Sequence, residues 1–224
     1  MVIWFRLGCR PGSKTVLSGH TSNQSSPAVS LTDYQHIPAN WHAGPLPELA
    51  VFHLQDVCVR VQRGMRNHLK TAALDKAPQI EAVFRWLGKR GIAVVLLSDY
   101  DGENTNVLLE RLNWVVGPDA LVQNVVTKQR LRVNSIERAC EAAGVSSAAT
   151  ITINDTPHLL RAATDAGVGY NIGVTSGSHS YQSLSQTAHT ALLDNPVQLV
   201  NYLVDQLPHL SNAPISYRHG TATS

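Results

Sequence analysis

Short apolar runs alternate along this chain with segments whose apolar positions recur every three or four residues. Leu49, Ala50, Val51 and Phe52 make the first run, closed by His53, Leu54, Gln55 and Asp56. A run of that kind suits a central strand of a parallel sheet, buried on both faces, and predicts a strand over 49–54. Ile80, Val83, Phe84 and Leu87 then repeat at helical spacing, with Gly91 as a stop, which predicts a helix over 76–90. The same reading gives strands over 92–97, 121–126, 150–153, 170–174 and 191–193. It gives helices over 103–113, 134–143, 157–166 and 196–206, with Gly144 and Gly167 as further stops. Strands and helices alternate throughout, so the expected fold is α/β: three Rossmann-like layers, with a parallel sheet and helices on both faces.

No pattern persists over residues 1–46, which are rich in Ser, Gly, Pro, Asn and Thr and read as an irregular or disordered extension. The folded core is expected over 47–210, with 211–224 as a flexible tail. Composition narrows the partners. Hydrophobic residues reach 43% and charged residues only 15%, against roughly 25% in average usage, and the net charge is +2. Nothing in that balance calls for a nucleic acid or another polyanion. Cys9, Cys58 and Cys140 are scattered and odd in number, which reads as reduced thiols in a cytoplasmic protein. No run approaches the ~20 apolar residues of a membrane span, and the apolar start is broken by Arg6.

Ligands in open α/β sheets bind just beyond the carboxyl ends of the strands. Those ends carry His53, Gln55 and Asp56, then Ser98 and Asp99, then Lys128 and Arg130 after a looser segment, then Asp155. Hydroxyl, cation and carboxylate at one edge suit a phosphate or another small anion. Each residue has a plainer reading too. Asp155 or Thr156 caps the helix that Pro157 opens, Ser98 makes a local turn, and Lys128 and Arg130 are solvated.

The order of these residues resembles the haloacid dehalogenase (HAD) superfamily, and within it the phosphonoacetaldehyde hydrolase-like (phosphonatase-like) branch. The resemblance covers roughly 48–207. It is carried by 91–98 (Gly-Ile-Ala-Val-Val-Leu-Leu-Ser), 108–114, Asn154-Asp155-Thr156-Pro157 and 173–179 (Gly-Val-Thr-Ser-Gly-Ser-His). It implies four motifs: Asp-x-Asp ending the first strand, as nucleophile and general acid/base; a Ser or Thr binding phosphate; a Lys or Arg; and an acidic residue or pair holding magnesium. Ser98 matches the second motif. Arg130 best matches the third, with Lys128 as the fallback, and Asp155 matches the first position of the fourth. Leu159 stands where many relatives have a second acid.

The first motif departs. His53 stands for the nucleophilic Asp and Gln55 for the acid/base Asp, and Gln has no titratable proton. Only 45 positions separate His53 from Ser98 and 32 separate Ser98 from Arg130, leaving no space for the family's helical cap. Lys70 and Lys76 lie in the first gap, and neither stands out as the Schiff-base residue that phosphonoacetaldehyde hydrolysis requires. The expectation is a capless, catalytically impaired HAD-like protein that binds a small phosphorylated molecule or acts as an interaction module. The competing expectation is a magnesium-dependent phosphatase or phosphonatase-like hydrolase attacking through Asp56, or through His53 as a phosphohistidine.

Overall fold

The computed structural model describes residues 45–61, 69–127 and 133–207. The extension read over 1–46, apart from its last two residues, lies outside them, as do Lys128, Arg130 and the tail at 211–224. The described chain runs β1 (Leu49–His53), β2 (Val59–Val61), β3 (Leu74–Lys76), α1 (Ile80–Gly88), β4 (Ala93–Ser98), α2 (Gly102–Leu112), β5 (Asn124–Thr127) and α3 (Val133–Ala143). It continues with a 3₁₀ turn (Ser147–Ala149), β6 (Thr150–Asn154), α4 (Pro157–Asp165), β7 (Tyr170–Val174), α5 (Tyr181–Ser185), β8 (Ala191–Leu193) and α6 (Gln198–Gln206).

Six strands form one parallel sheet in the order β5-β4-β1-β6-β7-β8. Every residue of β1 is buried, because alternate side chains feed two cores. Ala50 and Phe52 pack on one face with Phe84 of α1, Leu108 of α2 and Leu203 of α6. Leu49 and Val51 pack on the other with Ile136 and Ala139 of α3 and Leu159 and Ala163 of α4. This is the expected three-layer α/β arrangement. Gly144 and Gly167, at the ends of α3 and α4, hold φ of 65° and 69°, a left-handed backbone that glycine adopts without strain.

From β1 the chain steps to β4 and β5. It then crosses back over β1 to β6 and continues outward through β7 and β8. The direction of travel therefore reverses between β1 and β6, and a crevice opens at such a switch point beyond the strands' carboxyl ends.

Three local expectations change. The helix expected over 76–90 is shortened to 80–88, because Leu74–Lys76 pair instead with Val59–Val61 as an antiparallel hairpin. The N–H of Ala77 extends that pairing to the carbonyl of Cys58 at 2.9 Å. The hairpin and α5 are additions to the expected elements, and β5 begins at 124 rather than 121. Between β1 and β4 the described residues hold only this hairpin and α1, so no sizeable cap covers the sheet edge. Among the described residues no helix is long and apolar enough to cross a membrane, and Cys58 and Cys140 are buried free thiols.

Candidate functional site

His53, the last residue of β1, shares a face with Leu49 and Val51 but meets polar groups instead of apolar ones. Its Nδ1 lies 2.8 Å from Oδ1 of Asp155, and its Nε2 lies 3.3 Å from Oδ2 of Asp99. The ring is 3% exposed. Burial alone would lower its pKa. The hydrogen bonds to the two carboxylates, and their charges, outweigh that and push it up to about 9. At neutral pH the ring is an imidazolium donating to both acids.

Asp155 sits at the carboxyl end of β6, fully buried. Burial would raise its pKa, but the hydrogen bond and charge of His53, together with two donors from Ser178, hold it below the usual carboxylate value. Those donors are the Ser178 N–H at 2.9 Å and its hydroxyl at 2.7 Å, both on Oδ2. The cap of α4 falls to Thr156, whose Oγ1 accepts from the N–H of Leu159, and this frees Asp155 for the histidine. Gly177 presses on Asp155 so closely that an added methyl group would overlap its carboxyl. The Ser178 hydroxyl lies 3.0 Å from Nδ1 of His179, extending the chain of polar groups toward solvent.

A second cluster lies beside the first. The Gln55 amide donates to Oγ of Ser98 at 3.1 Å and accepts from the N–H of Asp99 at 2.9 Å. Ser98 is fully buried. Its hydroxyl also pairs with Oγ1 of Thr105 at 2.8 Å and accepts from the N–H of Tyr100 at 3.2 Å. The local turn read for Ser98 is thus present. Asp56 occupies the turn after β1 at a φ of 62°, with its N–H bonded to the carbonyl of Val59.

A cleft of about 380 Å³ opens over the first cluster. It is lined by His53, Asp99, Thr156, Pro157, His158, Leu159, Arg161 and His179. The structure thus brings His53, Asp99 and Asp155 together and ties Gln55 to Ser98. It places Ser98 and Asp56 outside the cleft lining. Sequence reading gave no role to Ser178, Thr105, Arg161 or His179. The run 173–179 that carried part of the resemblance was the available signal, since it is the loop that wraps Asp155.

The resemblance implies magnesium, and the residues present do not fit it. A magnesium ion asks for near-octahedral oxygen ligands at roughly 2.0–2.1 Å. Position 53 offers ring nitrogens, and both oxygens of Asp155 are already taken by His53 and Ser178. Among the described residues no group of three or more His, Cys, Asp or Glu is disposed to hold a metal.

No protein-family model and no curated protein matches this chain. Solved structures do. A protein provisionally described as a beta-phosphoglucomutase, from Thermotoga maritima, aligns with a TM-score of 0.59 at 12% identity, over 70% of this chain and 99% of its own. A haloacid dehalogenase-like hydrolase from Streptococcus pneumoniae aligns at 0.57 and 11%, over 70% and 98%. The cobalt-bound deoxy-D-mannose-octulosonate 8-phosphate phosphatase of Haemophilus influenzae aligns at 0.56 and 13%, over 74% and 91%. Identities this low speak to fold alone. The class defined is therefore a Rossmann-like α/β protein with an HAD-like fold and no large cap.

Proposed function

We propose that this is an HAD-fold protein whose hydrolase chemistry has been dismantled and whose cleft binds a small phosphate-bearing molecule. The observation that carries the reading is His53. It stands where the resemblance calls for an attacking carboxylate, and its two nitrogens are committed to Asp155 and Asp99. A phosphohistidine route needs an unprotonated ring nitrogen facing substrate, which an imidazolium held between two acids does not offer. Gln55 cannot shuttle a proton, and both ends of its amide are engaged. Asp56 lies outside the cleft lining.

Support for an anionic ligand comes from the lining itself. The lining holds His53, His158, His179 and Arg161 with one carboxylate, Asp99, whose side chain is 45% exposed. The phosphonatase-like character, read from 91–98, 154–157 and 173–179, belongs to the same proposal, without the cap and its lysine. The buried thiols of Cys58 and Cys140 support a reducing, cytoplasmic setting.

Loss of the attacking residue in a hydrolase costs on the order of 10⁶-fold in kcat. A panel of phosphomonoesters with magnesium is therefore expected to show no turnover above a Ser98→Ala, Asp155→Asn control. Inorganic phosphate at tens of millimolar is expected to raise the melting temperature relative to an equal ionic strength of chloride. Arg161→Ala and Arg130→Ala are expected to weaken that rise. Robust turnover abolished by Asp56→Asn would defeat the proposal in favour of the active phosphatase.

A further inference from the structure

We propose that the His53 ring takes the place of a divalent cation at the head of β1, so that this cleft holds its anion with no metal ion. The inference rests on the site reading above and concerns what supplies its positive charge.

Three adjacent strands, β4, β1 and β6, deliver Asp99, His53 and Asp155 to one point. The two carboxylates meet different nitrogens of the ring, so the ring stands between them. A carboxylate paired with a divalent cation carries the same net charge as one imidazolium. Exchanging the first for the second leaves the charge balance of the cluster unchanged while removing every oxygen donor at position 53. The remaining buried carboxylate is closed to an ion as well. Oδ1 of Asp155 takes the ring N–H, and Oδ2 takes two donors from Ser178. Gly177 packs against the same carboxyl, leaving no space on that side for a cation and its water shell. An ion could enter only by displacing three donors and adding two positive charges beside a third.

The experiment adds the metal alone, Mg²⁺ or its spin-active substitute Mn²⁺, to the full chain and follows melting temperature and saturable Mn²⁺ binding. Wild type is expected to show neither stabilisation nor saturable binding up to 10 mM. His53→Asp restores an oxygen donor and removes the ring's charge. It is expected to gain saturable Mn²⁺ binding and a rise on the order of 5 °C once the ion reaches about a hundred times its dissociation constant. Saturable binding by wild type, or a folded His53→Asp that binds no better than wild type, overturns the inference.

Should that variant not fold, nitrogen NMR of wild-type His53 at pH 7 decides: both ring nitrogens protonated is expected, and a neutral ring overturns it. Phosphate titrated in EDTA separates this inference from the ligand proposal. Phosphate stabilisation that appears only with Mg²⁺ overturns the metal-free site. Absence of phosphate stabilisation in both conditions, with the metal results as expected, removes the ligand proposal and leaves the imidazolium in the ion's place.

Discussion

Two buried polar clusters hang from the end of β1, and they differ in kind. The first is ionic: His53, Asp155 and Asp99, with Ser178 behind the buried acid. The second is neutral: Gln55, Ser98 and Thr105, with the N–H groups of Asp99 and Tyr100. The first opens to the cleft through the half-exposed Asp99, whereas the Ser98 hydroxyl is sealed. Both are built on polar residues at the end of β1, but the two residues do separate things. His53 supplies charge and bridges β4 to β6. Gln55 supplies a donor and an acceptor at once, which an ionised carboxylate cannot do, and it fastens the turn after β1 to the end of β4. An imidazolium and an amide make these two positions cross-links between strand ends.

The sharpest way to break this contrast is to remove the buried anion. Asp155→Asn leaves the His53 ring facing a neutral amide inside the protein. Deleting one partner of a buried ion pair costs about 3–5 kcal/mol, because the other charge is left uncompensated or must lose its proton. Urea unfolding at pH 7 is expected to show a loss in that range. The variant's histidine should then titrate well below the wild-type ring. A loss under about 1 kcal/mol would show that the charge on the ring counts for little and that the two clusters are energetically alike.

Next in size is the dependence on pH. The folded pKa of His53, about 9, lies above the ordinary histidine value of 6.5. Its contribution is therefore complete below about 6.5 and is lost as pH rises through 9. A shift of that size corresponds to about 3 kcal/mol. Asp155 works in the opposite direction: its lowered pKa gives stability present above the ordinary carboxylate value and lost as acid titrates it. Urea midpoints are expected to fall steadily between pH 6.5 and 9, and His53→Gln should flatten that stretch. A wild-type profile already flat there would sink the imidazolium. Ser98→Ala, in the neutral cluster, should leave the slope untouched.

Much of the architecture was legible because its causes are local. The apolar runs at 49–52 and 92–97 read as buried parallel strands, and Gly144 and Gly167 mark the helix ends at which they turn left-handed. The hairpin was not legible. Its strands are three residues long, and Leu74–Lys76 carry no alternation of their own; pairing with Val59–Val61 decides them. The site was half legible. His53, Gln55, Ser98 and Asp155 could be named from their places at strand ends. Their mutual contacts could not, because separations of 43 and 102 residues are set by sheet order alone. Ser178 escaped for the same reason. The run 173–179 marks its loop but does not name a partner 23 residues upstream.

The smallest expected effect belongs to the neutral cluster and tests the contrast from the other side. Gln55→Ala removes the donor to Ser98 and the acceptor for the Asp99 N–H. Oγ of Ser98 keeps Thr105 and the Tyr100 N–H, so one of its bonds goes while two remain. The cost is then that of a neutral hydrogen bond plus one less satisfied amide, about 1–2 kcal/mol, and it should be the same at pH 6 and pH 9. Gln55→Glu preserves the acceptor but loses the donor and places a carboxylate near Asp99, so its penalty should grow as pH rises through the new acid's pKa. Urea midpoints for both variants at the two pH values make the comparison. If Gln55→Ala cost as much as Asp155→Asn, or varied with pH in step with His53, the two clusters would be one network, and the charge on the ring would depend on the amide beside it.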